Sequence, residues 1–284
     1  MNHALVAAFL AAAGIAVSAA DHELHTFKKL TLSDKFYCEG IYYGDFNRDG
    51  KLDVVAGPFW FEGPNFDTKH EFRPSKTYEP GGYSDNFITY TWDFNGDGWT
   101  DIFEIGMPGE EAWWYENPQG KEGPWKRHMA FKPADNESPI LGDLDGDGKP
   151  EIVFNANGYL GYAKPDWQHP VDPWTFHPIS PKGGWHRYTH GVGYGDIDGD
   201  GRADFLQIDG WWAQPESLEG DPVWKFHPYK FGEGAAQMLV YDVNGDGLND
   251  VITTLHPHQY GLAWYEQVRT DGKIDFKQHL LMGD

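Results

Sequence analysis

One acidic pattern recurs five times along the 284-residue chain and constrains its fold more than any other feature. Each copy has Asp at its first position, Asp or Asn at the third, Asp at the fifth, Gly at the sixth and an acid at the ninth. The copies begin at Asp45, Asp93, Asp143, Asp196 and Asp242, with steps of 48, 50, 53 and 46 residues. A period in this range predicts a propeller or a solenoid, in which each repeat is one supersecondary unit.

The spacing within each copy predicts a calcium site. Calcium takes about six to eight oxygen ligands, and a loop supplies them from alternate side chains and one backbone carbonyl. An acidic turn alone is a weak signal because Asp, Asn and Gly populate turns for local reasons, so the recurrence carries the prediction of up to five Ca²⁺ ions. The residue at the seventh position of each copy is predicted to bind through its backbone carbonyl and the others through their side chains. The predicted ligands are Asp45, Asn47, Asp49, Lys51 and Asp53; Asp93, Asn95, Asp97, Trp99 and Asp101; Asp143, Asp145, Asp147, Lys149 and Glu151; Asp196, Asp198, Asp200, Arg202 and Asp204; and Asp242, Asn244, Asp246, Leu248 and Asp250.

The charge of the chain agrees with this interpretation. The formal charge is −22, and 17 of the 44 acidic residues lie in the five copies. Five bound Ca²⁺ would cancel nearly half of that charge. The acidity argues against nucleic acid or an anionic membrane as a partner. An aromatic content of 16% is typical of half-buried strands and excludes a disordered chain.

The first twenty residues resemble an export signal. An apolar run from Ala4 to Val17 precedes Ser18-Ala19-Ala20, a small-residue cleavage site. We therefore predict a signal peptide at 1–20, a mature domain at 21–284, a secreted or periplasmic location and no membrane insertion after cleavage. An uncleaved anchor is the alternative, although the run is short for a span of about 20 residues. Cys38 is the only cysteine, so no internal disulfide forms, and we predict that it is buried as a small apolar residue.

The residues between the acidic copies predict four antiparallel strands per repeat. One apolar strand enters the loop, as in Gly191–Ile197, and a second leaves it, as in Ala203–Ile208. A third is aromatic, as in Ala112–Pro118, and a fourth carries a histidine that we interpret as structural, as in Trp125–His128. The predicted fold class is therefore all-β, a β-propeller of four-stranded antiparallel blades with five blades present.

An additional strand is predicted before the first copy, at His25–Leu30, although the fifth repeat already has its own fourth strand at Phe276–Leu281. From this we predict that the propeller is C-terminally incomplete and belongs to a larger ring, most simply a seven-bladed one.

The acidic copies, with their Gly-Asp-apolar-Asn/Asp-x-Asp-Gly openings, resemble the FG-GAP/VCBS repeat family of calcium-binding propellers. The stretches Phe36–Asp45 and His190–Asp196 look like those of secreted FG-GAP proteins from planctomycete-type bacteria. They are also similar to the propeller domain of aldos-2-ulose dehydratase-type enzymes. The resemblance covers residues of about 25 to 284. It implies the repeat class, and usually a ring of seven blades, without specifying an activity.

A ligand site is predicted at the face opposite the acidic loops. Residues there differ from repeat to repeat while the framework repeats, as expected of a site carried by a scaffold. Histidine and carboxylate at this face suit a transition metal or an acid–base pair. The candidate catalytic residues are Glu39, Glu137, His190, His256 and His258. The candidate ligand-binding residues are His186, Arg187, Tyr188, Asp209 and Tyr260.

Two functions follow from these residues. The favoured one is a binding or interaction module for carbohydrate or protein ligands, because every strongly repeated feature is structural. The alternative is a carbohydrate-active lyase or dehydratase on oxidised sugars, with the histidines as metal ligands or bases and Glu39 or Glu137 as acid or base. An adhesion role like that of integrin propellers is a weaker third option.

Overall fold

The computed structural model describes residues 27–283, and these residues form β-strands and loops with no helix. Residues 35–283 belong to one compact unit. The strands are β1 Ile41–Gly44, β2 Asp53–Ala56, β3 Phe59–Phe61, β4 Lys69–Glu71, β5 Ile88–Trp92, β6 Asp101–Ile105, β7 Glu110–Glu116, β8 Lys126–Gly142, β9 Glu151–Ala156, β10 Tyr159–Lys164, β11 Thr175–Pro178, β12 Val192–Gly195, β13 Asp204–Gln207, β14 Gly210–Ala213, β15 Lys225–Pro228, β16 Gln237–Tyr241, β17 Asp250–Thr254, β18 Leu262–Thr270 and β19 Lys273–Met282. The prediction of an all-β chain with antiparallel sheets is confirmed.

Consecutive strands pair in four-stranded antiparallel meanders, which we call units 1 to 5 in chain order. Unit 1 is the sheet β1-β2-β3-β4. Units 2 and 3 share one seven-stranded sheet because the 17-residue strand β8 is the last strand of unit 2 and the first of unit 3. Units 4 and 5 join in an eight-stranded sheet through parallel pairing of β12 with β16.

The apolar core lies between consecutive units. Four clusters of buried side chains fill the four successive junctions. At the junction of units 1 and 2, for example, Phe46 and Phe72 pack with Tyr115 and Trp125. The aromatic third strands therefore serve packing between units. Each unit packs one face against each neighbouring unit, and this repeated burial of apolar side chains holds the units in chain order.

Side-chain amides in third strands, or directly after them, connect the loops of neighbouring units. Gln267 Nε2 in unit 5 donates to Asn249 O in its own loop at 2.7 Å and to Ile197 O in the loop of unit 4 at 2.9 Å. Gln214 links units 4 and 3 in the same way, and Asn117 links units 2 and 1. We call these three residues the amide links.

The histidine of each fourth strand stacks on an aromatic ring of the third strand. In unit 2 the His128 ring lies 4.4 Å from the Trp114 ring at an interplanar angle of 18°, and His128 Nε2 is 2.8 Å from Glu116 Oε2. The other stacked pairs are Trp60–His70, Tyr162–His177, Trp211–His227 and Trp264–His279. These contacts explain the repeated histidine as part of unit packing.

The predicted strand at His25–Leu30 is not observed in its described part. Residues 27–30 form no strand, and the Phe27 side chain is 93% exposed. A strand requires a partner for its backbone groups, and the sequence pattern alone does not supply one. The prediction for residues 1–20 lies outside the described residues.

Candidate functional site

All five acidic loops have the same strand register. In each unit, the residue before the first Asp pairs with the acid at the ninth position, as in Gly195 with Asp204. The equivalent pairs are Gly44–Asp53, Trp92–Asp101, Gly142–Glu151 and Tyr241–Asp250. The first and second strands therefore close the loop with an equivalent residue pair in every unit.

Hydrogen bonds within each loop turn its carboxylates inward. In unit 4, Asp196 Oδ1 accepts from Gly199 N at 2.7 Å and Asp196 Oδ2 accepts from Gly201 N at 3.0 Å. Gly199 and Gly201 have φ of +81° and +88°, a region that favours glycine. The sequence pattern predicts the glycine at the sixth position, Gly201, but it does not predict the left-handed residue at the fourth position, Gly199.

The acid at the ninth position fastens each loop to its unit. Asp101 is fully buried, and it accepts from Phe94 N at 3.0 Å and from Asn117 N at 2.8 Å. Burial raises the pKa of Asp101 to about 8, with nearby loop carboxylates adding to the effect and the two backbone donors opposing it. Burial likewise raises the pKa of Glu151 to about 8 and that of Asp204 to about 7.

The donor set of these loops fits calcium. Carboxylate oxygens of Asp196, Asp198 and Asp204 lie within 4.8 Å of one another, and the same holds for the equivalent acids of unit 3. Crowded, partly buried carboxylates repel one another, and a divalent cation would relieve that repulsion. Lysine or arginine cations already lie on some of these loops: Lys164 pairs with Asp145, and Arg202 pairs with Asp200.

At the other ends of the strands, three of the predicted catalytic residues come together. Glu137 Oε2 is 3.0 Å from His190 Nε2, and the rings of His190 and His258 are 4.8 Å apart at 85°. One donor atom from each residue lies within 4.8 Å of the others. We call these residues the Glu-His-His cluster. His190 precedes Asp196 by six positions, so an extended chain at about 3.3 Å per residue separates this end from the loop of unit 4 by roughly 20 Å.

Backbone contacts hold the cluster in place. Glu137 N donates to Thr189 O at 2.9 Å, and Gly191 N donates to Ser138 Oγ at 3.2 Å, so the two bonds bracket Glu137 and His190. The turn that carries His258 is closed by the bond from Leu255 N to Gly261 O. The cluster therefore assembles from units 3, 4 and 5.

The other predicted site residues are more dispersed. Glu39 lies outside the cluster and accepts hydrogen bonds from Ser84, and His256 also lies outside it. Asp209 forms an ion pair with Lys230 at 3.2 Å. His186 and Arg187 are exposed in the loop before His190, and the carbonyl of Arg187 accepts from Asn136 N. Tyr188 and Tyr260 are exposed by 50% and 66%.

A groove between units 1 and 2 is not predicted by the sequence. It encloses 810 Å³ and is lined by Arg73, Tyr83, Asp85, Glu104 and Trp113, among others. Arg73 leaves the outer strand of unit 1, and Glu104 lies near the end of β6, both at strand ends remote from the acidic loops. The two residues are 31 positions apart in dissimilar contexts, so no motif signals their pairing.

Buried charge is the distinctive feature of this groove. Arg73 Nε lies 2.9 Å from Glu104 Oε2, and Asn86 Nδ2 donates to Glu104 Oε1 at 2.5 Å. Burial raises the pKa of Glu104, an effect that Arg73 opposes. Arg73 Nη2 is buried 3.6 Å from Asp85 Oδ1 and has no hydrogen-bond acceptor among the described residues. The buried guanidinium therefore lies between two carboxylates, and only that of Asp85 is exposed in the groove.

Comparison with known proteins supports the repeat class. Residues 93–154 match the family described as FG-GAP-like repeat, a stretch that contains the acidic loops of units 2 and 3. No curated protein matches the chain. A lectin of Agrocybe aegerita that specifically recognises non-reducing terminal N-acetylglucosamine has a similar fold, with a TM-score of 0.50 and 18% identity over 86% of this chain. The chain spans 66% of the length of that lectin.

A second solved structure, the biofilm matrix protein Bap1 of V. cholerae, matches with a TM-score of 0.35 and 18% identity. That match covers 62% of this chain and 34% of the matrix protein. Residues 27–283 include no helix of the length and apolarity that a membrane span requires.

Proposed function

We propose that the chain is an exported, calcium-stabilised β-propeller that acts as a carbohydrate-binding module, with its ligand-binding site in the groove between units 1 and 2. The observation that carries the proposal is a groove in which the buried Arg73–Glu104 pair lies beside the exposed Asp85 carboxylate and the exposed Tyr83 ring. The five units are its blades, and the larger, seven-bladed ring expected from the sequence is part of the same proposal.

Calcium has a structural role in this proposal. The oxygen donors of each loop join the first two strands of a unit, at the ends remote from the groove. Free Ca²⁺ at ten to a hundred times its dissociation constant stabilises a fold by about 1.4–2.7 kcal/mol per site. Export is consistent with this, because weak calcium sites suffice where calcium is millimolar.

The chemistry of the groove suits a sugar. Carboxylates accept from hydroxyl hydrogens, so Asp85, whose side chain is 53% exposed and lies 3.6 Å from the Arg73 guanidinium, complements sugar hydroxyl groups. Tyr83, 69% exposed, offers a ring face to the apolar side of a sugar. A concave space of 810 Å³ fits a small ligand better than the flat surface of a protein partner. The fold likeness to a lectin makes oligosaccharides the first ligands to test.

The test is binding of the calcium-loaded protein to a panel of immobilised oligosaccharides, followed by calorimetry with the best ligand. Tyr83→Ala removes an exposed ring, so the fold should be retained while affinity for the sugar falls by about tenfold, the equivalent of 1.4 kcal/mol. Arg127→Ala removes the guanidinium group that lies 3.9 Å from the centroid of the Trp113 ring on the groove wall, and calorimetry measures its effect on sugar affinity.

The matched control is Tyr241→Ala, an equally exposed tyrosine beside the acidic loop of unit 5. Its sugar affinity should equal that of the wild type. If no sugar binds, or if the Tyr83 and Tyr241 variants have the same affinity for the sugar, the proposed ligand-binding site is wrong. Calcium content, measured on the same samples, tests the structural half of the proposal separately.

One observation favours a second candidate, a lyase or dehydratase acting on oxidised sugars. Glu137 and His190 lie in contact at 3.0 Å, which orients the two groups, and an oriented carboxylate or imidazole can act as the base in proton abstraction beside a carbonyl. Incubation with keto- and uronate sugars would reveal turnover through the absorbance of a conjugated product. Equal rates for the wild type and His190→Ala would contradict this candidate.

A further inference from the structure

We propose that the Glu-His-His cluster is a divalent transition-metal site of zinc type, separate in position and chemistry from the calcium loops. Its ligands are Glu137 of unit 3, His190 at the entry to unit 4 and His258 in the turn after β17 of unit 5. The site stands on these side chains and does not depend on the carbohydrate groove or on occupation of the acidic loops.

The spacing of the donor atoms fits one ion. Zinc binds imidazole nitrogen and carboxylate oxygen at about 2.0–2.2 Å, which places tetrahedral ligand atoms about 3.3 Å apart. The Glu137 Oε2 to His190 Nε2 distance is 3.0 Å, and all three donor atoms lie within 4.8 Å. These distances bracket the required spacing, so side-chain rotation suffices to close the site.

The two better-fixed ligands are partly shielded, and the third is open to solvent. The side chains of His190 and Glu137 are 17% and 25% exposed, and their chain segments are tied together by the bonds from Glu137 N to Thr189 O and from Gly191 N to Ser138 Oγ. His258 is exposed and completes the site from a different unit. An ion here would therefore bridge three units where their chain segments converge.

The ligand types separate this site from the loops. Imidazole suits zinc and other first-row transition ions, whereas calcium prefers a set of oxygen atoms. Three protein ligands leave a fourth position for water or for an oxygen of a ligand, as in catalytic zinc sites. Two neutral imidazoles and one carboxylate give the complex a net charge of about +1, which favours an anionic or hydroxylated ligand at that position.

The test is zinc binding to the intact chain with the acidic loops saturated by millimolar calcium, measured by competition with a chromophoric chelator. We expect one zinc ion per chain. Cobalt substitution should give the intense visible absorption of a tetrahedral site with nitrogen ligands. His258→Ala removes an exposed ligand without disturbing the core, and it should weaken zinc binding at least about tenfold, since even residues that only orient ligands contribute that much.

A matched control is His169→Ala, because His169 is an exposed histidine paired with one carboxylate, Asp166, at 2.9 Å. Its zinc affinity should equal that of the wild type. Glu137→Gln, which removes the charge and keeps the shape, should weaken zinc binding as His258→Ala does. Unchanged affinity in both ligand variants, or no stoichiometric zinc at all, would overturn the site, and the melting temperature in calcium confirms that each variant is folded.

Discussion

Gln267 shows how much a single polar side chain contributes to this architecture. It is 1% exposed, and its amide nitrogen satisfies two backbone carbonyls from two loops, Asn249 O and Ile197 O. The same geometry recurs at Gln214 and Asn117, so these amides are structural elements of the fold.

We expect Gln267→Ala to lower the free energy of unfolding by about 1–3 kcal/mol, because it leaves buried carbonyls without donors. Chemical denaturation in calcium measures the change. Gln278→Ala is the control, since Gln278 is exposed and makes a single 3.1 Å bond to Tyr265. A Gln267 variant as stable as the Gln278 variant would show that the amide links do not matter.

Residue-level prediction from sequence succeeded where the pattern repeats and failed where it does not. The glycines and acids of the loops recur, and their geometry follows from the spacing. Glu137, His190 and His258 are predicted site residues because the residue type at their positions varies between repeats, and the structure brings them together. Arg73 and Glu104 belong to no repeated position, so nothing in the sequence marked their pairing.

At the scale of the element, each acidic loop is a separate site at the end of one pair of strands. Asp200 supplies a carboxylate to the loop of unit 4, and its Oδ1 accepts from Arg202 N at 2.9 Å. Only the strands of unit 4 meet in that loop, whereas the loops of the other units use their own acids. A change at Asp200 should therefore be local.

Asp200→Ala should reduce bound calcium by one ion per chain and lower the melting temperature in calcium, with no loss of zinc or sugar affinity at the opposite ends of the strands. Elemental analysis and calorimetry measure both effects. Asp271→Ala, an exposed acid in the β18–β19 turn, is the control and should bind as much calcium as the wild type. Equal calcium content in the two variants would contradict the assignment of the loop.

Strand β8 shows what element prediction missed. Pro133 and Pro139 lie inside it, and proline normally excludes a central strand because it lacks the backbone donor. The pairing of β8 shifts register around both prolines, first between Glu110 and Ala112 on β7 and then between Asp135 and Ile140 on β8 itself. These bulges place the prolines outside regular pairing, a tertiary arrangement that local sequence does not reveal.

At the scale of the whole molecule, the loops couple stability to calcium and to pH. In the calcium-free protein, burial raises the pKa of Asp101 and Glu151 to about 8 and that of Asp204 to about 7, from ordinary values of 3.8 and 4.5. An acid whose pKa is higher in the folded state stabilises the fold while it is protonated. That contribution is present below about pH 4 and is lost as the pH rises toward 8.

We expect a chelator to lower the melting temperature strongly at pH 8, since five sites of about 1.4–2.7 kcal/mol rival the stability of a domain. On going from pH 8 to pH 5 the calcium-free protein should become more stable, while protons compete with calcium for the loops. The difference between the melting temperature in calcium and that in chelator should therefore be smaller at pH 5 than at pH 8. Calorimetry at both pH values tests this, with magnesium as the control ion; a gap independent of pH would contradict raised loop pKa values.

The continuity of β8 also determines where this chain can be divided. Units 2 and 3 share that strand without an intervening loop, so no cut between them leaves two intact sheets. A fragment ending inside residues 126–142 would present an unpaired edge to solvent and invite aggregation. The segment between β11 and β12 carries no shared strand, but a cut there would expose the apolar cluster between units 3 and 4, so these units should be kept in one piece.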